Sequence, residues 1–165
     1  MKIHFIGIGG IGVSALAQYY LEKGHEISGS DLAASEITDF LAAKGMKIMI
    51  GNRAEHITQG VDVVIHSPAV KPDNPEYKQA RALRIKTQSY PEALGDLTKQ
   101  YATIAVSGSH GKSTTTAMIA LMLIKAGIDF TNLRQTWSVF TANPINFIKY
   151  VMANFMKKFL NIYFN

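Results

Sequence analysis

An apolar strand that runs straight into a cluster of glycines leaves a chain few ways to fold, and this one does so at once. Lys2–Ile6 leads into Gly7-Ile8-Gly9-Gly10-Ile11-Gly12, and Gly7, Gly9 and Gly12 stand at the spacing G-x-G-x-x-G. Glycines there let the backbone turn sharply from strand to helix and bring N–H groups against an anion, with the helix N-terminus behind them. A second cluster, Gly108-Ser109-His110-Gly111-Lys112-Ser113, stands far downstream. It pairs a lysine with a hydroxyl, which is the chemistry of outer phosphates and Mg²⁺.

Between the two clusters, strand and helix signals alternate. Helical spacing from Ile11 to Lys23 stops at Gly24, and Glu26–Ser30 is a short strand ending at Asp31. A helix over Ser35–Lys44 closes at Gly45, and strands follow at Met46–Ile50 and Val61–His66. Ser67-Pro68-Ala69 reads as a loop, Glu76–Leu83 and residues 91–100 as helices, Thr103–Val106 as a buried strand, and Thr114–Ala126 as a helix. Such alternation predicts an α/β fold: a Rossmann-like, doubly wound parallel sheet, then the start of a P-loop-type ATP-binding α/β domain. The boundary between them falls between Pro91 and Tyr101.

Composition narrows the class. An apolar fraction of 47% with 18% charged residues describes a globular chain. There is no cysteine, which removes disulfides and thiolate metal sites and fits a cytoplasmic location. No apolar run approaches the roughly 20 residues that span a bilayer, and the N-terminus has no secretory leader pattern. The net charge of +5 raises nucleic acid as a partner. Its distribution argues against that reading: Arg134, Lys149, Lys157 and Lys158 follow Asp129 with no acidic residue among them, and the preceding part is nearly balanced.

The first turn admits three readings. It binds NAD, with Asp31 at the ribose; it binds another diphosphate such as a UDP-sugar; or its glycines serve only close packing. The second turn lacks the leading glycine of the strict G-x-x-x-x-G-K-[ST] pattern, since Val106 occupies that place. The shorter G-x-x-G-K-S remains, and there Lys112 would offset phosphate charge and Ser113 would ligate Mg²⁺. His110 either contacts phosphate or shapes the loop. His4 reads as a core or strand-end residue, while His25 and His56 read as surface residues. No His, Asp or Glu cluster has metal-ligand spacing.

Several stretches together carry a resemblance. Met1–Ala17, Gly24-His25-Glu26 through Gly29-Ser30-Asp31, Ser67-Pro68-Ala69-Val70, Asp73-Asn74-Pro75-Glu76 and Gly108–Thr116 resemble, in order, the alanine-adding branch of the Mur ligase family. The resemblance spans roughly residues 1–129. Val13, Ser109 and His66 depart from the residues usual there. It implies an ATP-dependent, amide-forming ligase of peptidoglycan synthesis. ATP phosphorylates the lactyl carboxylate of UDP-N-acetylmuramate, and the amine of L-alanine displaces phosphate from the acyl phosphate. It further implies that Gly9, Gly10, Ile11 and Gly12, with Asp31 and Ser67 nearby, hold the UDP diphosphate. Gly108, Ser109, His110, Gly111, Lys112, Ser113 and Thr114 would hold ATP, with Ser113 on Mg²⁺ and Lys112 in the catalytic role. It thereby favours the uridine reading of the first turn over NAD. Two rivals stand beside it: a nucleotide-sugar-binding module without chemistry, and an NAD-dependent enzyme.

The expected organisation is a UDP-sugar-binding domain over 1–100, the beginning of a central ATP-binding domain over 101–129, and an atypical tail over 130–165. In the tail, Phe, Ile, Lys, Asn and Tyr supply 18 of the 29 residues from Trp137 onward. These residues share A/T-rich codons, as in an out-of-frame reading, so the tail is expected not to be a native continuation and the chain to lack ligase activity alone. The alternative is a basic amphipathic helix with Ile148, Val151, Met152, Phe155, Phe159 and Ile162 on one face.

Overall fold

A computed structural model describes residues 1–100, 104, 106, 108–126, 138–140 and 149–151. The chain divides into two compact units, Met1–Thr103 and Ile104–Asn165.

The first unit is one parallel sheet of five strands: β1 (Lys2–Ile6), β2 (Glu26–Asp31), β3 (Lys47–Ile50), β4 (Val63–His66) and β5 (Lys86–Ser89), in the order β3-β2-β1-β4-β5. Helices α1 (Ile11–Glu22), α2 (Glu36–Ala43), α3 (Pro75–Ala82) and α4 (Tyr90–Thr98) connect or follow them. The order reverses between β1 and β4, so the loops leaving those strands diverge and open a crevice at their carboxyl ends.

Central strands in such a sheet are covered on both faces and therefore read as apolar runs. On one face, Ile6 and Val64 pack with Ile57 and Ala80, with Tyr77, Leu83 and Ile85 closing over them from α3 and its flanks. On the other, buried Phe5 meets the ring of Tyr20 in α1 at 6.3 Å, and Ile8 fits over Gly29. The helix ends are built from short side chains. Ser35 and Ser89 form capping boxes for α2 and α4, and Asn74 caps α3 ahead of Pro75.

Strand β5 is absent from the sequence expectation, which went from one helix to the next. Its residues, Lys-Thr-Gln-Ser, carry no apolar alternation, and it is an edge strand defined by backbone pairing with β4. A short 3-10 turn at Ala54–His56 likewise had no sequence signal.

In the second unit, α5 spans Lys112–Lys125, beginning at the second glycine cluster. The expected strand Thr103–Val106 lies largely outside the described residues. Ile104 and Val106 are not in strand conformation, and Ile104 is exposed rather than buried. Strands β6 (Ser138–Phe140) and β7 (Lys149–Val151) pair antiparallel. A helix through Lys149–Val151 is therefore overturned: Tyr150 and Val151 suit a strand, and their pairing with Val139 and Ser138 decides the matter. The rest of that segment lies outside the described residues. Among the described residues no helix is long and apolar enough to cross a membrane.

Candidate functional site

The first glycine turn is held from several directions. Its entry is pinned to β2, where the carbonyl of Ser30 accepts the N–H groups of Gly7 (2.8 Å) and Ile8 (3.0 Å). The Asp31 carboxylate then takes the N–H of Gly9 through Oδ2 at 2.7 Å and that of Leu32 through Oδ1 at 2.8 Å. Gly9 has no room for a side chain, because a Cβ there would stand 2.8 Å from Asp31 Oδ2 and 3.4 Å from Thr38 Cγ2. On the β4 side, Ile6 is in register with His66, and Ser67 N–H donates to the Ile6 carbonyl at 2.9 Å. That pairing sets Ser67 beside Gly7, whose Cβ would lie 3.0 Å from that of Ser67. Gly12 abuts the hydroxyl end of the buried Tyr90 ring at the start of α4. Burial pushes the Tyr90 hydroxyl well above its ordinary range, so it stays neutral.

The N-terminus of α1 differs from the other three helix starts in this unit. Gly10 is its N-cap, no side chain accepts a hydrogen bond there, and its first turn holds no carboxylate. Helices α2, α3 and α4 each have a side-chain cap and an acidic residue in the first turn. The α1 terminus therefore presents N–H groups and the positive end of its dipole to whatever anion enters the crevice. Apolar surface surrounds it: Ile11, Leu32 and Ile50 are all exposed, and Ile50 is the register partner of Asp31.

Of the residues expected at this site, Gly9, Gly10, Ile11, Gly12, Asp31 and Ser67 converge at the carboxyl edge of the sheet. Asp31 differs in use from the sequence expectation. Both of its oxygens serve backbone amides, so it braces the turn in addition to any ligand contact.

Sequence reasoning missed a second group of residues on the α3 face. Glu76 is fully buried. Its Oε2 accepts the Ser30 hydroxyl at 2.5 Å, its Oε1 pairs with His56 Nδ1, and His4 Nε2 stands 3.9 Å from it. His4 Nδ1 in turn meets Ser28 Oγ at 2.9 Å. Burial alone would raise the Glu76 pKa, but His4, Ser30 and His56 outweigh it and hold the carboxyl below its usual range. His56 is thus no surface residue; its side chain is 13% exposed. The available signal was the polar triplet His4, Ser28 and Ser30, which strand alternation turns to one face of an otherwise apolar sheet.

Among the described residues, the second glycine turn is tied to itself. Lys112 Nζ donates to the carbonyls of Gly108 (2.5 Å) and Ser109 (2.8 Å), closing the loop on its own lysine. Gly108 and Gly111 take φ of +151° and +76°, which suits glycine. Ser109, His110, Gly111 and Thr114 are exposed. Thr116 Oγ1 bonds back to the Lys112 carbonyl at 2.8 Å. Ser113 lies in the first turn of α5, and its side chain is outside the described residues. Among the described residues no group of three His, Cys, Asp or Glu is arranged to hold a metal ion.

A parallel sheet reversing at β1 and β4, with a glycine turn and an uncapped helix at the reversal, defines a Rossmann-like α/β unit. The model of the Mur ligase family, catalytic domain, matches residues 2–102, and the chain belongs to that family. It is 52% identical over 130 residues to a UDP-N-acetylmuramate–L-alanine ligase of Aquifex aeolicus, covering 79% of this chain and 28% of that protein. Among solved structures, the UDP-N-acetylmuramate-alanine ligase of Thermotoga maritima superposes with a TM-score of 0.70 at 38% identity, covering 85% of this chain and 31% of that one. A murein peptide ligase from Psychrobacter arcticus gives 0.70 at 32%, covering 77% and 27%. The chain thus spans less than a third of the length of each.

Proposed function

We propose that residues 1–100 bind the UDP end of UDP-N-acetylmuramate and that residues 101–129 begin an ATP-binding domain. In this reading they are parts of a ligase that joins L-alanine to UDP-N-acetylmuramate in peptidoglycan synthesis, and so serves cell shape and division. The observation that carries the proposal is the uncapped N-terminus of α1. Ile11 and Gly12 offer the diphosphate N–H groups at the start of α1, Gly9 and Gly10 form the turn against which it lies, and Leu32 and Ile50 offer apolar surface for the base. Asp31 already serves two backbone amides, which fits a role in shaping the turn better than a role centred on a dinucleotide ribose.

At the second turn, the positive-φ glycines, the helix N-terminus and Lys112 suit ATP. Gly108, Ser109, His110, Gly111 and Thr114 would surround its phosphates, and Ser113 would share Mg²⁺ with them. Bound there, Mg·ATP supplies the phosphoryl group that activates the lactyl carboxylate. For its part, Lys112 gives up its two carbonyl partners and turns its charge to the outer phosphates, where it stabilises the transferring group. The working location is the cytoplasm, and no alanine-dependent phosphate release is expected from this chain alone.

Calorimetric titration with UDP-N-acetylmuramate, NAD and Mg·ATP in separate runs tests the proposal. Saturable binding of the UDP-sugar with no response to NAD is expected. Binding of NAD in its place would overturn the reading.

A further inference from the structure

The buried cluster around Glu76 is explained neither by the apolar core nor by the contacts a diphosphate would make. A carboxylate with no exposure is costly to bury, and an apolar side chain of similar volume would fill the place without that cost. What the carboxylate provides is direction. It stands in the first turn of α3, behind the Asn74 cap and Pro75, where the helix dipole favours negative charge. From there it accepts the hydroxyl of Ser30, with His56 bound to its other oxygen.

Ser30 is consequently held at two points. Its side chain is tied to α3 through Glu76, and its main-chain carbonyl receives the N–H groups of Gly7 and Ile8. Ser30 is fully buried, so it has no solvent to fall back on if either tie is lost. Any drift of that carbonyl moves the entry to the glycine turn, three residues ahead of the N-cap of α1. A small displacement there misaims the amides that meet the ligand.

We propose that Glu76 is a positioning residue for the first glycine turn, fixing through Ser30 the carbonyl that anchors the Gly7 and Ile8 amides and thereby setting affinity for a pyrophosphate ligand. The consequence for affinity rests on the diphosphate reading above, whereas the effect on the turn does not. His56 is the second support, since it restrains the other carboxylate oxygen.

The test uses the full chain, comparing wild type with Ser30→Ala, Glu76→Leu and Glu76→Gln. Two readouts are taken: amide hydrogen exchange in the ligand-free protein, and calorimetric affinity for UDP-N-acetylmuramate. Ser30→Ala keeps the carbonyl and removes only the hydroxyl, so it reports even if Glu76→Leu fails to fold. Gly7 and Ile8 should exchange faster in Ser30→Ala, with Ile27 and Val64 unchanged. Affinity should fall about fivefold to tenfold. Glu76→Gln retains an acceptor for Ser30 and should restore most of both. Wild-type exchange at Gly7 and Ile8 in Ser30→Ala, or faster exchange spread evenly over the sheet, would overturn the proposal. So would altered exchange with unchanged affinity. If wild type does not bind the UDP-sugar, the diphosphate reading fails, and the exchange data alone still decide whether Glu76 positions the turn.

Discussion

The two glycine turns make an instructive pair. Each leads into a helix that begins without a carboxylate in its first turn. The first is braced by residues distant in sequence: Ser30 and Asp31 approach it from β2, and Ser67 from the loop after β4. The second, among the described residues, is tied only to itself, through Lys112 and the carbonyls three and four residues before it. A turn braced by a folded sheet holds its amides ready for a ligand. A turn that closes on its own lysine must open before it can take one, and part of the binding free energy goes into that change.

The largest effect that would break this contrast is expected at Gly29, beneath the first turn. A Cβ there would stand 2.5 Å from Ile8 Cδ1 and 2.9 Å from the Phe5 carbonyl oxygen. Gly29→Ala should lower unfolding free energy by about 2–3 kcal/mol and dislodge Ile8 from its seat. Urea denaturation gives the answer, and a wild-type midpoint would show that the turn does not depend on this close fit.

Asp31→Ala comes next. It leaves the Gly9 and Leu32 amides without their acceptor, and UDP-N-acetylmuramate affinity should drop about tenfold. Unchanged affinity by calorimetry would mean that the brace contributes nothing to binding.

Acid sharpens the comparison on the buried side. Glu76 has a pKa below its unfolded value, so its contribution is complete above the ordinary carboxylate range. That contribution is lost as pH falls through the lower, folded value. Stability measured by denaturant from about pH 6 downward should therefore decline less steeply in Glu76→Gln than in wild type. Parallel curves would remove Glu76 from the acid response.

The smallest effect on UDP-sugar affinity belongs to the second turn. Lys112→Ala removes the bonds to the Gly108 and Ser109 carbonyls within its own loop. UDP-sugar affinity should stay within about 0.5 kcal/mol of wild type, while Mg·ATP binding is lost. A marked loss of UDP-sugar affinity would show that the turns are not independent.

Much of this was legible in the sequence. Strands β1 and β4 announce themselves as apolar runs ending at a glycine turn and a serine loop, because buried parallel strands need apolar faces on both sides, whereas the largely polar β2 is marked by the helix stop at Gly24 before it and by Asp31 at its end. Ser35 opens the second helix in the sequence, whereas the caps Asn74 and Ser89 go unread there and the helices after them begin one residue earlier than the sequence reading has them. Strand β5 was not legible, since Lys86–Ser89 is polar and becomes a strand only by pairing with β4. Nor was the partnership of His56 with Glu76, two residues that look like surface positions until the fold brings the 3-10 turn and α3 together. The residues of the first site were readable because a motif confines them to one short stretch. Asp31 and Ser67 were also named there through the resemblance, but their bracing of the turn and the part of Ser30 were not legible, because those arise from strand register.

The most direct test of a pre-built first site is amide chemical-shift mapping of the ¹⁵N-labelled chain with UDP-N-acetylmuramate. Shifts should concentrate at Gly9, Gly10, Ile11 and Gly12 and leave Gly108–Thr114 unmoved. Shifts centred on the second turn, or the same first-turn pattern produced by NAD, would contradict the account.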